Sequence, residues 1–463
     1  YWHNLYPWDG TYTKQIVGMD RQTGKVWWEQ TARYGFPQKS IATGNGKVFC
    51  IDRVEIDRDE YLARRGTPRP SQPSVRSFDA RSGKPLWTAD RDVDGYQLMY
   101  CPEQDILIQP SSHDPDPPSW NRKKRLQWVR LIAYRGRDGT VLWDSKLELE
   151  RSTGRHRMWW NWFVHKDMVV VESYYDTHAD FYGFDLHTGK RKTRRSTLTG
   201  TDVPWGFRRR GGCTKNLCSE NLVFFRSSTA GYYDAERDSG TVNLNGFRTG
   251  CKNSLIPAAG ILNAPNYASG CTCNYPVFTA LALVHMPDVE SWATSTYVWD
   301  GGRVTRVGIN LGAPGDHRAA DGTLWLDYPS VGGESPDLPI AASPAKVHWF
   351  YHHSARMRGG ELSRVAASGA EGLTGLTLTL AKAGSDHGAS YTVRLCFAEH
   401  DDLKPGDRVF GVALQGKRVV EQLDIVKEGK ARTGMAARRS SHTQKTTESY
   451  SRRARLRTAS NGP

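Results

Sequence analysis

One short pattern is written four times along the chain: RQTGKVWW (21–28), RSGKPLW (81–87), GRDGTVLW (136–143) and DLHTGKRK (185–192). In the first three, a Trp stands four residues after the glycine, at Trp28, Trp87 and Trp143; in the fourth, Thr193 takes its place. The glycines are Gly24, Gly83, Gly139 and Gly189, separated by 59, 56 and 50 residues. Self-similarity at such a period marks a repeat architecture. Short apolar segments such as VRSFDA (75–80) and RLIAYR (130–135) precede the turns, and the glycine supplies the positive φ that a tight hairpin needs. Further strand signals fall between, in GKVFCID (46–52), DILIQP (105–110), MVVVES (168–173) and LVFFRS (222–227). Several strands per unit, joined by hairpin turns, predict one four-stranded sheet per repeat, stacked radially as a β-propeller with the Trp packing each sheet on its neighbour.

The bulk properties fit an all-β chain. There are 45 Gly and 16 Trp among 463 residues, which suits many tight turns and large aromatic fillers. The longest apolar run, YPVFTALALV (275–284), is far short of the roughly 20 residues that span a bilayer, so no transmembrane segment is expected. The sequence begins at Tyr1 with no leader, so a targeting signal is expected outside it. Of the net charge of +14, the stretch from Lys430 onward supplies nine basic residues against one acid. Residues 429–463 therefore read as a basic disordered tail, and no nucleic-acid-binding motif accompanies it. Five of the eight cysteines, Cys213, Cys218, Cys251, Cys271 and Cys273, cluster within about 60 residues. Their spacing suits disulfides in an oxidising compartment, periplasmic or secreted, better than a zinc knuckle. Free thiols and a metal site are the alternatives.

The D-x-x-T/S-G-K-x-x-W units resemble the PQQ-like (quinoprotein-type) propeller repeat, which also occurs in BamB-type outer-membrane assembly factors. The Cys-rich stretch over 205–300 is similar to the terminal blades of planctomycete-type PQQ-like proteins. This resemblance implies a propeller over residues 1–300, partial or irregular in blade number. From 303 to 428 the Trp-turn repeat is gone. VGINLGAPGDHRAADGTLWLDYP (307–329) and YTVRLCFAEHDDLKPGDRVFGVALQGKRVVEQLDIVKE (391–428) resemble a malectin domain, a carbohydrate-binding β-sandwich. The resemblance implies sugar-binding positions at Tyr328, at Tyr351 within WFYHH, and at His400 and Asp401, which stand where the family carries an aromatic pair after F-A-E. Gly411 replaces the Asp of V-F-D-V, and the closing strands of the family have no match after Glu428, so the domain reads as truncated.

Other constellations bear on chemistry. DRDVDG (90–95) spaces Asp90, Asp92 and Asp94 like the first half of a Ca²⁺ loop, although position twelve is Cys101. RHRMWWNWFVHK (155–166) could line a groove with Trp159, Trp160 and Trp162, or pack blades together. HWFYHH (348–353) places His348 and His352 on one side of a strand and His353 on the other. A quinoprotein dehydrogenase would need PQQ, Ca²⁺ and usually a Cys-Cys pair, and here the nearest is Cys271-Thr272-Cys273. No nucleophile elbow, phosphate loop or HExxH occurs. The expectation is a non-catalytic, envelope-associated binding or scaffold protein with carbohydrate or envelope proteins as ligands. The alternatives are a PQQ- and Ca²⁺-dependent dehydrogenase fragment or a propeller-type polysaccharide-active enzyme.

Overall fold

The repeated turns are built alike. The computed structural model describes residues 12–54, 65–66, 72–95, 97–113, 126–150, 161–174, 178–212, 215–249, 254–265, 280–286, 289–294, 299, 301–331, 338–357, 362–382, 390–428, 435–442 and 453–460. At each turn the glycine N–H donates to the carbonyl four residues back, Gly24 to Asp20, Gly83 to Asp79, Gly139 to Arg135 and Gly189 to Asp185, at 2.8–2.9 Å. In three of them the leading Asp also caps the loop: Oδ1 of Asp20, Asp79 and Asp185 accepts the backbone N–H groups two and three residues on.

The chain divides into two units, 1–192 and 193–463. In the first, the hairpin of Tyr12–Met19 and Val26–Pro37 is followed by two four-stranded antiparallel sheets. The first consists of Ala42–Gly44, Lys47–Asp52, Ser74–Asp79 and Pro85–Ala89; the second of Met99–Cys101, Ile106–His113, Leu126–Arg135 and Val141–Glu150. Asn161–His165, Met168–Tyr174 and His178–Asp185 begin a third. Strand alternation sorts the core between them. Leu107, Ile132 and Tyr134 pack with Phe49, Ile51 and Val75, while Ile106, Ile108, Val129, Leu131 and Ala133 pack with Val169, Val171 and Phe184.

The Trp of each repeat docks on the turn of the next. Trp28 Nε1 donates to Ala80 O at 3.0 Å, Trp87 to Gly136 O at 2.9 Å and Trp143 to Leu186 O at 2.9 Å. Each acceptor lies three residues before a turn glycine, and the ring covers that glycine. A Cβ on Gly139, itself at φ +74°, would stand 2.6 Å from the Trp87 ring. The sheets thus have the four-stranded, Trp-sealed form expected of propeller blades.

The second unit begins at 193, where the repeat loses its Trp, and includes the expected boundary near residue 300. The cause is a core in which Leu198 and Val203 pack with Val304, Leu324, Leu326 and Leu338. The Leu198 carbonyl also accepts the backbone N–H of Thr305. The unit holds a five-stranded sheet of Leu217–Cys218, Leu222–Ser227, Thr229–Asp234, Thr241–Asn243 and Ala293–Thr294. A second comprises Ile340–Ser343, Gly375–Thr379, Arg453–Ser460, Val409–Leu414 and Lys417–Asp424. Met435–His442 pairs along the whole of Tyr391–Ala398. The stretch read as a disordered basic tail thus contributes two strands, one of them in the middle of a sheet. RARLRTAS alternates Arg with Ala, Leu and Thr, a period of two that suits a strand despite the charge. Among the described residues no helix is long and apolar enough to cross a membrane.

Replacing Trp87 by Ala removes both the ring and the hydrogen bond and lowers stability by about 3 kcal/mol. Trp87→Phe keeps the cover over Gly139 and costs about 1 kcal/mol, while the neighbouring exposed Leu86→Ala costs under about 0.5 kcal/mol. Urea midpoints of the full-length variants check this order.

Candidate functional site

In the second unit, two of the four expected sugar-binding residues come together and two do not. Gly308–Leu311 runs parallel to Leu324–Tyr328, with Leu311 opposite Tyr328. His348–Tyr351 pairs with Ser368–Glu371. Gly312 brings these pairs close. It sits at φ +70°, donates to Tyr328 O at 2.8 Å, and leaves no room for a Cβ, which would meet Gly369 O and Phe350 O at 2.7 and 2.8 Å. Tyr328 consequently packs edge-on against Trp349 at 5.8 Å. Alternation places Trp349 and Tyr351 on one face of their strand and Phe350 on the other. Tyr351 in turn meets Trp292 edge-on at 6.0 Å. Tyr328, Trp349, Tyr351 and Trp292 thus form an aromatic face that is half-buried except for Tyr351, which is 41% exposed.

Polar groups hold this face. Tyr351 Oη donates to Glu290 Oε2 at 2.5 Å, and Ser354 N–H donates to Oε1 at 2.6 Å. Burial works against the Glu290 charge, but those two hydrogen bonds prevail and hold its carboxyl below the usual range. Burial, reinforced by Glu290, raises the Tyr351 phenol. Arg364 Nη1 donates to Ser291 O at 3.1 Å, and its guanidinium lies over the Trp292 ring at 5.5 Å. Behind them His317, 7% exposed, is stacked on Trp325 at 6.2 Å and edge-on to Trp292 at 5.4 Å. Burial, aided by the Arg364 charge, pushes its imidazole down to about 4. The arrangement offers flat apolar rings beside a carboxylate and a guanidinium, which suits a ligand with a C–H face and a polar rim.

His400 and Asp401 lie elsewhere. The His400 ring packs against Phe350 at 4.8 Å and His352 at 5.1 Å, on the far side from Trp349 and Tyr351. Burial and then the nearby His352 lower its pKa. Asp401 is bound by Arg408 Nη2 at 2.8 Å, and Glu399 takes Nη1 of the same Arg. His348 pairs with Glu371 at 2.9 Å, away from the other two histidines of its motif.

The DRDVDG carboxylates already have a cation. Arg130 reaches Asp94 at 2.7 Å, Asp92 at 3.2 Å and Asp144 at 2.5 Å. Asp90 is outside this group, and its carbonyl accepts Gln72 Nε2. A guanidinium thus takes the place of the Ca²⁺ considered from spacing, and these residues do not fit the Ca²⁺ of a quinoprotein centre. Among the described residues no three His, Cys, Asp or Glu side chains are placed to hold a metal. Trp162 is a buried core residue, while Trp159 and Trp160 lie outside the described residues. So do Cys213, Cys251, Cys271 and Cys273. Cys218 is half-buried on its short strand, and burial raises its thiol pKa.

Comparison with known proteins adds the family. The model described as outer membrane protein assembly factor BamB matches residues 9–243, just over half of the chain. The chain belongs to the BamB family. A Malectin domain model matches residues 383–452 of this BamB-family chain. Solved structures similar to it include BamB from Moraxella catarrhalis, 12% identical with a TM-score of 0.31, which covers 54% of this chain and 63% of that one. The chain thus spans under two thirds of that protein's length. A β-glucuronidase from Bacteroides uniformis is 9% identical with a TM-score of 0.26, covering 77% of this chain and 29% of its own. A quinohemoprotein alcohol dehydrogenase from Pseudomonas putida is 14% identical with a TM-score of 0.23, covering 60% and 46%. None of these is close enough to bear on function. A comparison with curated proteins found no match.

His317 makes stability pH-dependent. An unfolded His titrates near pH 6.5 and the folded one near 4. Its contribution is complete above about pH 6.5 and is lost as pH falls towards 4, about 3 kcal/mol in total. The urea midpoint of His317→Phe should fall less than that of the wild type across this window.

Proposed function

We propose that the chain is a non-catalytic, envelope-associated binding and scaffold protein whose second unit takes carbohydrate on the aromatic face. The observation that carries this reading is the row Tyr328, Trp349, Tyr351 and Trp292, with Glu290 and Arg364 at its edge. Pyranose rings stack their C–H faces on such side chains, and the planar polar groups take hydroxyls. The Malectin domain match in the same unit supports the ligand class. Membership of a family described as an outer membrane assembly factor supports the envelope setting and the scaffold role.

A second ligand class, protein, is favoured by a row on the first unit. Trp27, Leu86 and Leu142 each stand one residue before a docking Trp and are 39%, 47% and 37% exposed. The repeat thus turns one apolar residue outward in three successive units, where a partner could cover them.

Glycan-array and calorimetric titration of the full chain tests the carbohydrate reading. Tyr351→Ala and Trp349→Ala should each weaken binding at least tenfold, about 1.4 kcal/mol. Tyr351→Phe should lose less, and His400→Ala should leave affinity unchanged. Failure to bind any glycan, or loss on His400→Ala with none on Tyr351→Ala, would overturn the assignment.

A further inference from the structure

The polar groups around the aromatic face are unequally occupied. Glu290 already accepts from Tyr351 and Ser354, one donor on each oxygen. Arg364 is different. A guanidinium has five N–H donors in a planar fork, and the only hydrogen bond it makes among the described residues is from Nη1 to Ser291 O. No carboxylate oxygen of the described residues lies within 4.0 Å of it. Three arginines of the same unit, by contrast, have carboxylate partners: Arg306 with Asp321, Arg408 with Glu399 and Asp401, Arg418 with Glu421.

Arg364 is also held in place. It leaves the short helix Ser363–Ala366, its backbone carbonyl accepts Asn310 Nδ2 at 3.5 Å, and its fork is fixed from both sides by Ser291 O and the Trp292 ring. An oriented cation with free donors loses little entropy on meeting a planar anion, and the match is bidentate. The nearby His317 is buried and uncharged near neutrality, whereas the Arg364 guanidinium keeps its charge at any pH of interest.

We infer that the aromatic face takes an acidic saccharide, one carrying a uronic-acid carboxylate, and that Arg364 is the residue that reads the acid while Tyr351 and Trp292 carry the sugar ring. This inference rests on the carbohydrate reading above and narrows it. Glu290 opposes an acid close by, but its charge is directed to Tyr351 and Ser354, and the planar fork distinguishes a carboxylate from a neutral rim of hydroxyls. A carboxylate and a sulfate ester share the negative charge and can both engage the fork through two oxygens, and the sulfated probe below separates them.

The experiment titrates the full chain with four probes: a polygalacturonate oligomer, the same oligomer as its methyl ester, a sulfated oligosaccharide and a neutral glucan oligomer. The acid should bind at least tenfold tighter than its ester and tighter than the sulfated probe, with an affinity that falls as salt rises. Arg364→Gln should bring the acid-to-ester ratio to near one, and Arg364→Lys should give an intermediate ratio. Equal wild-type affinity for acid and ester overturns the inference without recourse to any variant, as does a ratio that survives Arg364→Gln. In both cases a loss on Tyr351→Ala would leave the carbohydrate reading standing. Preference for the sulfated probe overturns the uronate assignment. Absence of binding to all four removes both readings together.

Discussion

The first unit depends on one contact made three times, a Trp indole laid over the next repeat's turn with its N–H on a carbonyl three residues before the turn glycine. The contact couples two local requirements. The turn needs a residue at positive φ, and the docking ring needs a neighbour without a Cβ; glycine meets both. It also solves the problem of an amphipathic ring at a sheet border, since the indole N–H is satisfied while its faces are covered. Sheets that carry only half-buried outer strands can therefore stack in sequence order. Where Thr193 replaces the Trp, the series ends and the unit ends with it.

This is why the first unit was legible in the sequence. Turn chemistry, strand period and filler residue are all local, and each recurs. Two further turns could have been read by the same logic. The Gly200 N–H donates to Ser196 O four residues back, as at the repeat turns, and Asp234 caps a turn in which Asp238, at φ +48°, stands in the glycine's place. The unit boundary was not legible, because the Thr305 side chain reaches Leu198 across 107 residues, and nothing in either segment announces the other. The two late strands were hidden by charge: counting Arg predicts a solvated tail, whereas the alternation of RARLRTAS predicts a strand. At DRDVDG the spacing shows the carboxylates but not their partner, since the cation that gathers Asp92 and Asp94 is Arg130, well downstream.

The aromatic face shows the same division. Tyr328 and Tyr351 could be picked out by family resemblance, and the structure brings them to neighbouring strands through Trp349. Glu290, Trp292 and Arg364 could not: Glu290 accepts from Tyr351 and Ser354 across 61 and 64 residues, Trp292 meets the Tyr351 ring edge-on, and Arg364 donates to Ser291 across 73, contacts that no local pattern encodes. His400 and Asp401 follow F-A-E just beyond the strand; the His400 ring packs on Phe350, which alternation turns away from Trp349 and Tyr351, and Arg408 takes Asp401.

The location of the face also limits what family membership can say about it. Its residues run from Glu290 to Arg364, after the BamB match has ended at 243 and before the Malectin match begins at 383. These side chains lie outside both matched ranges, so their arrangement is argued from their own geometry. That geometry is asymmetric. The carboxylate is engaged by a phenol and a backbone N–H, the imidazole is buried and neutral, and the guanidinium is oriented with most of its donors unspent. Under the inference drawn above, a face whose acceptor is occupied and whose cation keeps open donors favours a ligand that brings its own anionic acceptor.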